Sequence, residues 1–128
     1  MGFSELARAE YVSLATYRRS GQEVRTPVWI APDAGRLVVY TNATSGKVKR
    51  IRAGSRVRLA PCSYKGDVRG DWVEARARML DAPEERDRAL AAVVRKYGWK
   101  MRAALLASRL SGRFAQRAAI EIAPAQKP

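Results

Sequence analysis

Val24-Arg25-Thr26-Pro27-Val28-Trp29-Ile30, then the turn Asp33-Ala34-Gly35 and the run Leu37-Val38-Val39-Tyr40-Thr41, is the stretch that decides the fold. Val24, Thr26, Val28 and Ile30 alternate with Arg25, Pro27 and Trp29, the period of a strand with one face inward. Pro27 has no N–H to give to a ladder, so it marks an edge, a bulge or a gap where something other than a strand pairs. The turn brings the chain back as a hairpin into Leu37–Thr41.

Working outward, the same alternation marks Tyr11 to Tyr17, with a hairpin turn at Arg18–Gln22, and Arg56 to Cys62, with Val57 and Leu59 inward. Ser63 to Gly70 reads as a loop. Trp72 to Leu80 is the longest strand signal, with Val73, Ala75, Ala77 and Met79 on one face and Trp72, Glu74, Arg76 and Arg78 on the other. Ala118–Ala123 supplies the sixth strand. A brief helix over Phe3–Ala9 opens the chain, and a short one after Ser45 buries Val48 and Ile51 and stops at Gly54. Pro83 starts a third helix with Glu84, Glu85 and Asp87 in its first turns and an apolar stripe at Leu90, Val93, Val94 and Tyr97. A further helical stretch runs from about Trp99 to Leu110. Its Trp99, Met101, Leu105 and Leu106 beside Lys100 and Arg102 suit packing on the sheet or an acidic membrane surface. The pattern predicts a mainly β protein: a six-stranded antiparallel barrel with peripheral helices, in one domain spanning 1–128.

Composition narrows the chemistry. With no histidine and a single cysteine, Cys62, zinc sites, histidine-based nucleophilic catalysis and internal disulfides are excluded, and no metal site is expected. Cys62 itself reads as a small buried hydrophobe, and Trp29, Trp72 and Trp99 as core or interface anchors. No apolar run approaches the roughly 20 residues of a membrane helix, and Met1-Gly2-Phe3-Ser4-Glu5 lacks the layout of a signal peptide. A cytoplasmic protein without an integral membrane segment is expected. The net charge is +13, and residues 34–66 hold eight Lys/Arg and no acid. Such a field attracts a nucleic acid, an acidic membrane or a polyanionic cofactor. A basic surface common to an arginine-rich proteome fits the same count. Nucleic acid is disfavoured because no zinc ligands or RNA-binding aromatic motif are present.

The segment that carries chemistry is Tyr40-Thr41-Asn42-Ala43-Thr44-Ser45-Gly46-Lys47, where a strand gives way to hydroxyl residues and a basic helix holding Lys47, Lys49, Arg50 and Arg52. Free N–H groups at a helix start, with hydroxyls and a lysine beside them, suit an anion such as phosphate. A capped helix with a solvated basic face fits the same letters.

Arg25-Thr26-Pro27-Val28-Trp29-Ile30, followed by Tyr40-Thr41-Asn42 with Ser45 and Lys47, resembles the split β-barrel flavin-binding proteins typified by pyridoxamine-phosphate oxidase. The likeness runs from about Tyr11 to Leu80 and includes Ala60-Pro61-Cys62. Thr16-Tyr17-Arg18-Arg19-Ser20-Gly21, Thr26-Pro27-Val28-Trp29 and Ser45-Gly46-Lys47-Val48-Lys49-Arg50-Ile51-Arg52 are similar to the branch that uses the deazaflavin coenzyme F-420. The resemblance implies a cofactor phosphate near Thr41, Ser45, Gly46 and Lys47, with Tyr40, Arg50 and Pro61 in the same site. It also implies a ring system against the Thr26–Ile30 backbone, with Arg25 in the same site, and a homodimer with the cofactor groove at its junction. Trp72, Arg76 and Arg78 are then candidates to cross that junction.

Two positions depart from the flavin mononucleotide (FMN) pattern: Gly46 stands where an arginine is usual and Trp72 where a glutamine is usual. Loss of an arginine fork removes a bidentate phosphate grip, which favours F-420 and leaves FMN as the alternative. The glutamate tail of F-420 would suit a basic groove in which Lys49, Arg50 and Arg52 lie beside the phosphate and Arg56 and Arg58 alternate on one face of the next strand. The implied activity is hydride transfer between the reduced deazaflavin and a small quinone- or enone-type acceptor. A cofactor carrier without turnover remains the non-enzymatic alternative. No catalytic acid or base stands out; Tyr64, Tyr97 and water are equivalent proton sources at this stage.

Overall fold

The alternating run through Pro27 leaves its ladder at Val28, and that break determines the architecture of the computed structural model. The structure describes residues 2–43, 45–98, 100 and 117–125. Strand β2 (Glu23–Val28) pairs antiparallel with β1 (Tyr11–Tyr17), setting Val12 opposite Val28. Trp29 and Ile30 belong to no strand, and the chain resumes as β3 (Ala31–Asp33) against β4 (Arg36–Asn42). The other strands are β5 (Arg56–Cys62), β6 (Val73–Leu80) and β7 (Arg117–Pro124), and the order across the sheet is β2-β1-β5-β6-β7-β4-β3. The sheet thus has seven strands rather than the expected six. The added one, β3, is hidden in the sequence because its three residues run straight into the Ala34-Gly35 turn, where both residues have positive φ.

Strands β2 and β3 are the two outermost of the sheet, yet only Trp29 and Ile30 lie between them. Three Cα steps span at most about 11 Å. The edges must therefore lie near one another, and the sheet curls on itself. Pro27 sits in an edge strand, where its missing N–H costs no inner ladder bond.

Inside the curl, Val12, Leu14, Leu37, Val57, Leu59, Ile120 and Ile122 are fully or almost fully buried, with helix α1 (Phe3–Arg8) adding Leu6. Helix α2 (Gly46–Ala53) packs Ile51 into this core and lies against β1 and β6. On the outer face of β3, β4 and β7, helix α3 (Pro83–Tyr97) covers Ala31, Val38 and Ala119 with Ala89, Ala92 and Val93. Leu80 joins this outer layer, whereas Ala75 and Ala77 face inward. The helix expected over 99–110 lies outside the described residues except at Lys100, whose Nζ pairs with Glu10 at 2.6 Å.

The last turn of α3 clamps the crossing between β2 and β3. Tyr97 stacks on Trp29 with ring centroids 4.5 Å apart and planes within 9°. Its hydroxyl accepts the Ile30 N–H at 3.0 Å and donates to the Glu10 carbonyl at 2.6 Å. Lys96 Nζ donates to the carbonyls of Ala9 and Ile30 at 2.6 and 2.5 Å. Backbone groups that leave a ladder in a buried place need such partners.

The outer face of β1, β2 and β5 is built on charge. Glu23 accepts from Arg25 at 2.6 Å, from Arg58 at 2.6 Å and from the Tyr17 hydroxyl at 2.9 Å. The guanidinium groups of Arg25 and Arg58 lie 4.6 and 4.8 Å from the Trp72 ring centroid. Burial acts to raise the Glu23 carboxyl, but the hydrogen bonds from Arg25, Arg58 and Tyr17 outweigh it and hold the group at about 2.

Replacing Tyr97 with Phe keeps the stack and leaves the Ile30 N–H without its acceptor, so Tyr97→Phe should lower stability by about 1–3 kcal/mol in urea unfolding. An unchanged midpoint would remove the clamp from the account. Because the Glu23 value is depressed on folding, its contribution is present above pH 4.5 and is lost as pH falls towards about 2. Stability of the wild type should decline through that window, and Glu23→Gln should flatten the decline there. Parallel acid curves for the two proteins would contradict the pairing.

Candidate anion-binding site

Ser45 is the N-cap of α2, as its sequence position suggests, but its hydroxyl makes no capping bond. Ser45 Oγ is buried and has no hydrogen-bond partner among the described residues. Buried hydroxyls are normally satisfied, so an orphan at a helix start calls for a partner. Two residues on, Lys47 is half-buried. Burial pushes its ammonium below the ordinary lysine value, and the nearby charge of Arg50 pushes the same way. Arg50 lies one turn further along, its Nε donating to Thr16 Oγ1 at 2.6 Å. Burial lowers the Arg50 guanidinium too, and the charge of Arg18 adds to the effect.

Lys47, Arg50 and Arg18 are thus three neighbouring cations, and none has a carboxylate partner among the described residues. Like charges gathered against a buried surface are costly unless an anion answers them. The free N–H groups of the first turn of α2 point the same way chemically. Chemically, such a cluster suits an oxyanion such as a phosphate.

Other basic residues of the expected groove are already answered. Arg52 pairs with Asp81 at 2.9 Å, Arg56 with Glu74 at 3.2 Å, and Arg58 with Glu23 at 2.6 Å. The acid-free run from 34 to 66 gave no sign of this because its counter-charges arrive from other strands and from the β6–α3 connection. Lys49 is exposed on α2.

The remaining site residues distribute over three places. Ser45, Gly46, Lys47 and Arg50 share the start of α2, and Thr41 ends the inward series of β4 that leads there. Thr26 lies opposite Leu14 in the inward series of β2, while Arg25 and Pro27 are exposed, Pro27 close to the Gly66 backbone of the 63–70 loop. Pro61 stands opposite Val12, and its carbonyl accepts the Arg69 N–H at 2.8 Å. Val28 and Ile30 bury their side chains in the inner core, and the Ile30 backbone is taken by Tyr97 and Lys96. Trp29 and Tyr40 pack instead on the α3 layer, where burial raises the Tyr40 phenol against the opposing charges of Arg117 and Arg86.

Thr16 and Arg18 are functional candidates that sequence reasoning did not isolate. A hydroxyl following Val12 and Leu14 on the inward face of β1 was the available signal. Tyr97 drops out as a proton donor, since burial lifts its phenol to about 12 and the backbone occupies its hydroxyl. Tyr64 is 67% exposed. Cys62 is buried, which raises its thiol despite the nearby Arg69. No described helix is long and apolar enough to cross a membrane.

Comparison with known proteins places this geometry in context. No curated protein sequence matches the chain. Among solved structures, a conserved hypothetical protein from Mycobacterium tuberculosis superposes with a TM-score of 0.71 at 23% identity, over 98% of this chain and 82% of that one. A FAD-binding protein from Mesorhizobium loti gives 0.61 at 20% identity, over 96% and 87%. The heme storage protein HutZ from Vibrio cholerae gives 0.69 at 12% identity, over 98% and 89%. At such identities the likeness concerns the fold. The sequence profile of the pyridoxamine 5'-phosphate oxidase family matches residues 3–126. The chain belongs to the pyridoxamine 5'-phosphate oxidase family.

Proposed function

We propose that this protein is a coenzyme F-420-dependent oxidoreductase acting on a small conjugated acceptor of the quinone or enone type. The observation that carries the reading is the unanswered cation cluster of Arg18, Lys47 and Arg50 beside the orphaned Ser45 hydroxyl. These residues fit a phosphate. Lys47 and Arg50 would bind it through charge, Ser45 Oγ would donate a hydrogen bond, and the first-turn amides of α2 would complete the cradle. The backbone of Thr26–Trp29 at the outer edge of β2, with Pro61 at the rim, would then lie along the ring system.

Hydride transfer is chemistry that such a cofactor supplies when bound. The chain contributes orientation at the β2 edge and positive potential around the phosphate. A proton for the acceptor comes from water or the exposed Tyr64, since the Tyr97 hydroxyl is committed. The exposed Arg19, beside Arg18 in the turn after β1, would meet a glutamate tail. Clefts of about 620 Å³ between α1 and α3, and about 500 Å³ beside Ala34 and Arg88, open elsewhere on the molecule. A second copy closing over the β2 edge would supply the missing wall, so the working form is a homodimer, cytoplasmic and without an integral membrane segment.

One observation favours FMN as the second reading. The Arg50 guanidinium occupies the space above Gly46, so an arginine fork is present despite the glycine. The departure at Gly46 therefore weighs less against FMN than the sequence suggests. A carrier that holds either cofactor without turnover would use the same site.

Fluorescence titration should show F-420 binding more tightly than FMN, with affinity falling as salt screens the exposed charges. FMN co-purifying stoichiometrically while F-420 fails to bind would overturn the assignment. Lys47→Ala should weaken cofactor binding roughly 10- to 150-fold, the loss of one charge-assisted contact. Lys49→Ala, which points to another side of α2, should change it little. Equal, slight losses in both variants would dissolve the phosphate site into a diffuse basic field. Sedimentation at micromolar concentration should give two 14.2 kDa chains per particle, and a single 14.2 kDa chain would contradict the dimer.

A further inference from the structure

Gly46 is the first residue of α2, and the atoms nearest to it belong to a side chain one turn away. A Cβ placed on Gly46 falls 2.7 Å from Arg50 Nη1, 3.4 Å from Cζ and 3.5 Å from Nη2. The Arg50 guanidinium thus rests where any side chain at position 46 would begin. Its other end is fixed: Nε donates to Thr16 Oγ1 at 2.6 Å, and Thr16 is 1% exposed. With Nε engaged on the strand side, the two Nη groups lie over the first turn of the helix. There neither meets a carboxylate among the described residues.

We infer that Gly46 and Thr16 are positioning residues for Arg50. The glycine leaves the seat that the guanidinium fills, and the buried threonine fixes its rotation, so that the Nη pair forms a bidentate fork for the phosphate beside Lys47. The inference rests on the anion-site reading above and adds to it a source of the fork. An arginine supplied from the second turn of α2 occupies the place of one at position 46. The shared ligand chemistry is a phosphate, a monoester in FMN and a diester in F-420.

The physical signature is unusual for a glycine. The clashing atoms are the far end of a flexible side chain, so a methyl at 46 displaces the guanidinium without disturbing the backbone. Alanine is also the better helix former. Gly46→Ala should therefore leave the melting temperature equal or higher while cofactor affinity falls roughly 10-fold or more. A glycine with a merely structural role would show the reverse.

The test is a double-mutant cycle of Gly46→Ala and Arg50→Ala, read by titration with F-420 and, in a separate arm, FMN. If Gly46 acts through Arg50, Gly46→Ala changes nothing further in the Arg50→Ala background. Thr16→Val should weaken both cofactors and Thr16→Ser should restore them. The cofactor bound more tightly by the wild type identifies which phosphate the site is built for. In the ligand-free protein, the Arg50 Nε–H resonance should be protected from exchange and should lose that protection in Gly46→Ala.

Unchanged protection, or additive losses in the cycle, would overturn the inference. Wild-type affinity in Gly46→Ala alongside a large loss in Lys47→Ala would overturn it while sparing the site. A loss confined to one cofactor would overturn the shared-phosphate account. Failure of the wild type to bind either cofactor would remove the anion-site reading and this inference with it.

Discussion

Everything in this molecule hangs on the crossing at Trp29-Ile30. A sheet whose two outermost strands are joined by two residues has no freedom to lie open. The crossing leaves both ladders, so its backbone groups need other partners, and the end of α3 supplies them through Tyr97 and Lys96. Burial brings Lys96 down to about 8, against the pull of Glu10, so the group is held at real cost. The consequence is architectural. Helix α3 is fixed over β3, β4 and β7, the interior is left to α1 and α2, and the outer edge of β2 remains available.

Charge is sorted by the same topology. Arg36 bridges Asp33 and Glu121, Arg78 reaches Glu121 and Glu85, and Arg88 reaches Asp33, all near the α3 side. Glu23 gathers Arg25 and Arg58 on the opposite flank. Where both partners are exposed, as in Arg78–Glu85, such a pair contributes only about 0–1 kcal/mol, whereas Arg36, Asp33 and Glu121 are largely withdrawn from solvent. The larger effect of these pairs is on the field: they cancel positive charge where the sheet packs and leave it uncancelled at the start of α2. A chain with net charge +13 thereby carries a local cluster of cations, unpaired among the described residues, instead of a uniform basic coat.

Much of the fold was legible because the sheet rests on period-two alternation. The inward pair Val57/Leu59 and the shared face of Ala75 and Ala77 read correctly from the letters alone, as did Pro83 at the start of α3 and Gly54 at the end of α2. Strand β3 was not legible, since three residues carry too little pattern and its partner is fixed by the curl. The segment Ser45 to Lys47 marked the start of α2 through residue type. What the letters could not convey was pairing across strands. Arg52, Arg56 and Arg58 looked free and are answered. Thr16 looked like one more strand residue and is what holds Arg50. Gly46 read as the absence of an arginine, yet it is the space another arginine uses.

The central claim is that the start of α2 holds a cofactor phosphate. A crystal structure of the protein grown with F-420 tests it most directly. The account predicts phosphate oxygens at charge-assisted distances of about 2.7–2.9 Å from Lys47 Nζ and the Arg50 Nη groups, with Arg50 Nε still on Thr16. A phosphate seated elsewhere, for instance in the cleft between α1 and α3 near Lys96 and Lys100, with Lys47 and Arg50 facing only solvent, would contradict it.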